Sequence, residues 1–161
     1  MSSSHASISL VDRRKVVLDT NCFVDASRTD AGAAAFEEFC ARAAPRLYLS
    51  TVVAAELRAG TEDAGSRRNL ERRVLSPYVR RRRLVNPSPA AWEALGTTLA
   101  RLVEDQGVVS RELPKSFIFD ILISYSCREI GAVLVSRNVK DLARIAKVFT
   151  FDFVAPYPSD V

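Results

Sequence analysis

Histidine is nearly missing from this 161-residue chain, and its one copy, His5, sits close to the N-terminus. That leaves no pair of imidazoles for acid–base chemistry at neutral pH. Cysteine is scarce too: Cys22, Cys40 and Cys127 are spaced too widely for a disulfide framework or a zinc site. No Gly-rich loop follows any predicted strand, which argues against a nucleotide-binding fingerprint. No apolar run approaches the length of a membrane span. The opening "MSSSHASISLVDRR" lacks the basic start and apolar core of a secretory signal, so residues 1–14 are read as a flexible polar tail. Together these absences point to a cytoplasmic protein without a membrane partner.

What is present is ordinary for one domain: 48% hydrophobic and 26% charged residues, with a net charge of +4. Arginine carries most of the positive charge and clusters in "SRRNLERRVLSPYVRRRRLVNP", residues 66–87. Such a cluster either steers a polyanion or is a solvated helix face. No aromatics are interleaved with these arginines, so a stacking platform for single strands is not visible.

Strand-like and helix-like segments alternate from Lys15 onward. "KVVL" (15–18) is a short apolar strand, and helical composition follows over Ala31–Ala44. "RLYLS" (46–50) is a second strand, with Thr51 placed to cap the helix "VVAAELRAG". Residues 62–83 form a longer helical region that Pro77 should break, and "RRLVNP" holds a third strand. The clearest helix is "SPAAWEALGTTLARLVEDQG", with Ser88 as cap, Pro89 in the first turn and Gly107 past the end. Its Trp92, Leu95, Leu99 and Leu102 recur at helical spacing, which predicts a core-facing stripe. Ser116 opens another helix, "AVLVS" (132–136) is a buried strand, "RNVKDLARIA" is helical and "VFTFDFVAP" holds the last strand. The alternation predicts an α/β fold, a mostly parallel central sheet between helices, in a single domain over 15–161.

Polar residues interrupt this apolar pattern at a few places. Asp19 ends the first strand, in "KVVLDTNCFVDA". Glu56 lies in "VVAAELRAG", Asp120 in "SFIFDILIS", and Ser136, Arg137 and Asn138 follow "AVLVS". Each alone has a plain structural reading: a cap, a solvated helix residue, or an acid at the positive end of a helix. Jointly they say more. Three carboxylates gathered near the core would repel one another, and a divalent cation relieves that repulsion. Oxygen donors without imidazole or thiolate suit Mg²⁺ or Mn²⁺ rather than zinc.

The motifs "VVLDTNCFVDA", "LSTVVAAELRAGTE" and "SFIFDILISYSCREIGAVLVSRNVKDL" occur in the order of the PIN-domain proteins, and the chain resembles the VapC-type toxins of that family from about Lys15 to its end. The resemblance implies a three-layer α/β/α sandwich and a Mg²⁺-dependent endoribonuclease that cuts RNA with a metal-activated water, Mn²⁺ serving as well. By position it makes Asp19, Glu56 and Asp120 the acidic, metal-binding cluster. The family often has a fourth acid where this chain has Asn138, and Asp141 three residues on is the other candidate for that place. Thr20, Asn21 and Ser136 become orienting partners of the ligating acids, and Arg58 and Arg137 contacts to RNA phosphates. A homodimer and a cognate antitoxin, held through the acidic groove, are the implied partners. Two other readings stay open: a PIN-like module that binds RNA or protein without cutting, and a phosphohydrolase with Asp19 as nucleophile. The latter usually has a second Asp where this chain has Asn21.

Overall fold

The computed structural model describes residues 14–157, so His5 and nearly all of the expected N-terminal tail lie outside the described residues. Within them, five short strands form one sheet: β1 (Val16–Leu18), β2 (Leu47–Ser50), β3 (Leu84–Val85), β4 (Val133–Val135) and β5 (Asp152–Val154). The spatial order is β3-β2-β1-β4-β5, and every pairing is parallel. Parallel neighbours need crossover connections, and helices supply them: α1 (Thr20–Ala26), α2 (Asp30–Ala43), α3 (Thr51–Ala59), α4 (Ala64–Leu70), α5 (Ser76–Arg80), α6 (Pro89–Gln106), α7 (Lys115–Ile130) and α8 (Val139–Ile145).

The sheet is covered on both faces, which is why its strands are continuously apolar. Val17, Leu49 and Leu134 point into one core with residues of α3, α6, α7 and α8, among them Val53, Leu102, Ile121 and Leu142. Val16, Leu18, Leu47, Val133 and Val135 point to the other side, against Cys22 of α1 and Phe39 and Ala43 of α2. The period-two alternation thus sorts each strand between two cores, and the result is the expected α/β/α sandwich.

Three local features depart from the sequence-based expectation. Helix α1 follows β1 at once, with Asp19 as its cap. At α3 the capping side chain is Ser50, which accepts from the Val52 N–H, and Thr51 is the first helical residue. Pro77 does not break its helix. It lacks an N–H and its ring crowds the carbonyl of the preceding turn, and the chain absorbs this as a π turn over Glu71–Leu75, with the Ser76 N–H reaching Glu71 O.

The stripe expected on α6 holds at Leu95, Leu99 and Leu102, which pack on the core, and fails at Trp92. Trp92 is 58% exposed, while Ala91, Thr98 and Leu102 are buried. Leu95 and Leu99 are half-buried against the same core, and Ala91 takes the place expected for Trp92, one residue and about 100° earlier on the helix. Among the described residues no helix is long and apolar enough to cross a membrane.

Candidate active site

The strand order reverses between β1 and β4, since β2 and β3 extend to one side and β5 to the other. In open α/β sheets that reversal leaves a crevice at the carboxyl ends of the strands. A cavity of about 370 Å³ opens there, lined by Asp19, Thr20, Asn21, Val24, Glu56, Ser116, Asp120, Arg137 and Asn138.

Asp19 enters it from the end of β1, held by its backbone N–H donating to Val135 O at 2.9 Å. Its carboxylate is divided between two tasks. Oδ1 accepts from the Thr20 N–H at 2.7 Å, capping α1. Oδ2 accepts from Ser136 Oγ at 2.6 Å and from Asn21 Nδ2 at 3.2 Å. Capping and a site role are therefore compatible, one oxygen serving each.

Ser136 and Asn21 lock the ends of β1 and β4 together. Besides donating to Asp19, Ser136 Oγ accepts from Asn21 Nδ2 and from the Asn138 N–H, each at 3.0 Å, which uses its donor and both lone pairs. Asn21 Oδ1 accepts from the Arg137 N–H at 3.1 Å.

Glu56 reaches the cavity from α3 and is anchored by the Thr20 hydroxyl, which donates to Oε2 at 2.5 Å. Asp120 comes from α7, where it is 5% exposed amid Phe117, Ile121 and Ile123. Its Oδ2 accepts from Asn138 Nδ2 at 2.8 Å. Although Asn138 is the cap residue of α8, its side chain makes no capping bond and turns to Asp120 instead.

The carboxylates share one field. Burial pushes Asp120 up to about 8, helped by the charges of Asp19, Glu56 and Asp141 and opposed by the Asn138 hydrogen bond. Burial also raises Glu56, with the Asp19 charge adding to it and the Thr20 hydrogen bond opposing it. Asp19 is raised by burial against the bonds from Ser136 and Thr20. Among the described residues no ion pair joins a cation to these three acids.

A divalent cation fits this donor set in chemistry, though not as a closed cage. Among the described residues no three acidic, histidine or cysteine side chains already converge on one point as metal ligands. Zinc favours such a preformed set of protein donors. Mg²⁺ keeps several waters and uses one or two carboxylates, so acids spread around a wet cavity suit it. Asp19 and Asp120 could hold such an ion directly, and Glu56 directly or through water.

Not every residue singled out in the sequence is in the cavity. Arg58 points away and pairs with Glu71 on the exposed side, Nε–Oε1 at 2.5 Å and Nη2–Oε2 at 3.1 Å. Named in the sequence as a contact to RNA phosphates, it is not among the cavity's residues: it lies two residues from Glu56, which turns it well away from Glu56 on a helix. Asp141 does not line the cavity and pairs at 3.4 Å with Arg144, whereas Asn138 does line it. Sequence reasoning missed Ser116 as a lining residue, and it passed over Asp25, which pairs with Arg137 Nη1 at 3.0 Å. The available signal for Asp25 was its place six residues after Asp19, which becomes the same helix only once α1 is recognised.

A cluster of buried acids at a sheet crevice, carried by strand ends and crossing helices, defines a PIN-type architecture. The PIN domain family model matches residues 16–148, and the chain belongs to that family. Solved structures share the fold at low identity. FitAcB from Neisseria gonorrhoeae is 15% identical with a TM-score of 0.62, over 91% of this chain and 99% of that one. DNA-bound VapBC from Salmonella typhimurium is 21% identical with a TM-score of 0.63, over 88% and 98%. VapBC2 from Rickettsia felis, bound to a DNA fragment from its promoter, is 22% identical with a TM-score of 0.57, over 87% and 97%. No curated protein matches the chain by sequence.

Proposed function

We propose that this PIN-family protein is a Mg²⁺-dependent endoribonuclease, with Mn²⁺ able to replace Mg²⁺, and that it is the toxin of a toxin–antitoxin pair. The observation that carries the catalytic reading is the gathering of Asp19, Glu56 and Asp120 in one cavity, with Asp120 pushed up to about 8 by burial and by its acidic neighbours. A site that strains against its own negative charge is poised to take up a cation. The bound cation would supply Lewis acidity to a water and to the scissile phosphate.

The chain's own residues do the rest. Ser136, Asn21 and the Thr20 N–H aim the Asp19 carboxylate, and the Thr20 hydroxyl aims Glu56. Asn138 orients Asp120 and places an uncharged oxygen beside the cavity where related proteins often carry an acid. Arg137 lines the rim, where its guanidinium can grip a phosphate without reading a base. Among the described residues there is no histidine, so the proton carriers at the cavity are carboxylates and water.

The structural relatives FitAcB, FitAB and VapBC support a cognate antitoxin as partner. An acid-lined cavity on a net basic protein is a natural receptor for a guanidinium side chain. A homodimer and a cytoplasmic location complete the reading.

The test is cleavage of RNA by purified, partner-free protein with and without Mg²⁺ or Mn²⁺, beside Asp19→Asn and Asp120→Asn. Metal-dependent cleavage by the wild type, abolished in both variants and leaving 5′-phosphate and 3′-hydroxyl ends, is the expected result. Folded, metal-loaded wild type that binds RNA but cuts none of a varied set would favour the non-catalytic module, in keeping with the uncharged Asn138.

A further inference from the structure

Arg137 sits between Ser136 and Asn138, whose side chains bond Asp19 and Asp120, and it lines the cavity that holds all three acids. A guanidinium in that place is drawn towards carboxylates, and a bidentate pair with one of them would be a strong contact. Collapsed in this way, it would neutralise the cluster and block the cavity. The structure shows a different arrangement. The Arg137 guanidinium pairs with Asp25 Oδ1 at 3.0 Å, from the last turn of α1. The same oxygen also faces Arg28 Nη1 at 3.9 Å. The backbone of Arg137 is fixed independently by Asn21, so Asp25 governs only where the side chain goes.

We propose that Asp25 is a tether for Arg137: it holds the guanidinium at the rim, off the carboxylates of Asp19, Glu56 and Asp120, so that the acids stay open to a cation and the positive charge faces an incoming phosphate. The inference rests on the nuclease reading above for its purpose, but not for its geometry. Asp25 touches neither metal nor substrate and acts through Arg137, so it is a positioning residue. The pair is exposed, with 61% of the Arg137 side chain and 33% of that of Asp25 accessible, and exposed pairs contribute little to stability, so variants will fold.

The arrangement makes a prediction opposite in sign to simple electrostatics. Asp25→Ala removes a negative charge near a polyanion site, and if the pair were only a surface contact, RNA would bind more tightly. With the tether lost, Arg137 falls onto the acids, and RNA binds more weakly. The experiment is fluorescence anisotropy of a labelled single-stranded RNA in EDTA, with wild type, Asp25→Ala, Arg137→Ala and the double variant. The expected result is a loss of about threefold in Asp25→Ala and in Arg137→Ala, with no further loss in the double variant. A parallel calorimetric titration with Mn²⁺ should show weaker binding in Asp25→Ala and recovery in the double variant, where no guanidinium remains to occupy the acids. Asp25→Glu should restore both. Tighter RNA binding by Asp25→Ala, or a loss of Mn²⁺ affinity that persists when Arg137 is also removed, overturns the tether. Wild type that takes up no Mn²⁺ overturns the nuclease reading instead, and the RNA titration then decides the tether alone.

Discussion

Removing the most perturbed acid should make the metal-free protein more stable. Asp120 is buried, and its carboxyl is pushed from the ordinary 3.8 up to about 8. The sign follows from proton linkage. Between the ordinary carboxylate value and about 8, the folded state holds a proton that the unfolded chain has released, so stability is greatest below this window and falls as pH rises through it. A shift of that size corresponds to about 6 kcal/mol as an upper bound. Relaxation around the acid and access of water to the cavity reduce it, and about 1–3 kcal/mol at pH 8.5 is the working expectation. Asp120→Asn removes the titration while keeping an oxygen to accept the Asn138 amide. Thermal melts in EDTA should therefore place the variant roughly 3–10 °C above wild type at pH 8.5, and close to it at pH 5. Saturating Mg²⁺ should stabilise wild type selectively and narrow the gap. A variant that is less stable than wild type at both pH values, or a difference that ignores pH and Mg²⁺, would refute the reasoning.

Asn138→Asp places a second carboxylate against Asp120, so it should lower the metal-free melting temperature at alkaline pH and tighten Mn²⁺ binding several-fold by calorimetry. Ser136→Ala strips a donor from Asp19 and an acceptor from both Asn21 and the Asn138 N–H. It should cost about 1–3 kcal/mol in urea unfolding and weaken cleavage. Trp92→Ser tests the exposed position of Trp92 on α6: because its side chain is largely exposed, urea unfolding should change by no more than about 1 kcal/mol, whereas a core tryptophan would cost about 3–5 kcal/mol.

Much of the fold was legible because both sheet faces are buried and the crossovers are helical. Apolar strands such as Val16–Leu18 and Val133–Val135 stand out against amphipathic helices, and Ser88 and Gly107 mark the ends of α6 where they were expected. Three carboxylates in apolar contexts could be named for the same reason: an acid inside a hydrophobic pattern is costly, whatever its partners. Helix α1 was not legible, because seven residues after a strand-ending Asp are too short a run for periodicity to register.

Sequence alone therefore determined most of the element types, the parallel α/β class and the three acids that line the cavity, since these follow from local patterning and the cost of burying charge. Tertiary structure decided which charges meet. Arg58 and Arg137 carry the same chemistry, yet one pairs with Glu71 across the surface and the other borders the acids. Asn138 and Asp141 lie one helical turn apart, yet Asn138 alone turns into the cavity. Those outcomes depend on how the crossovers place α1, α3 and α7 at the one crevice where the strand order reverses. A local pattern fixes the face a residue takes, and only the packing of distant segments sets what that face meets.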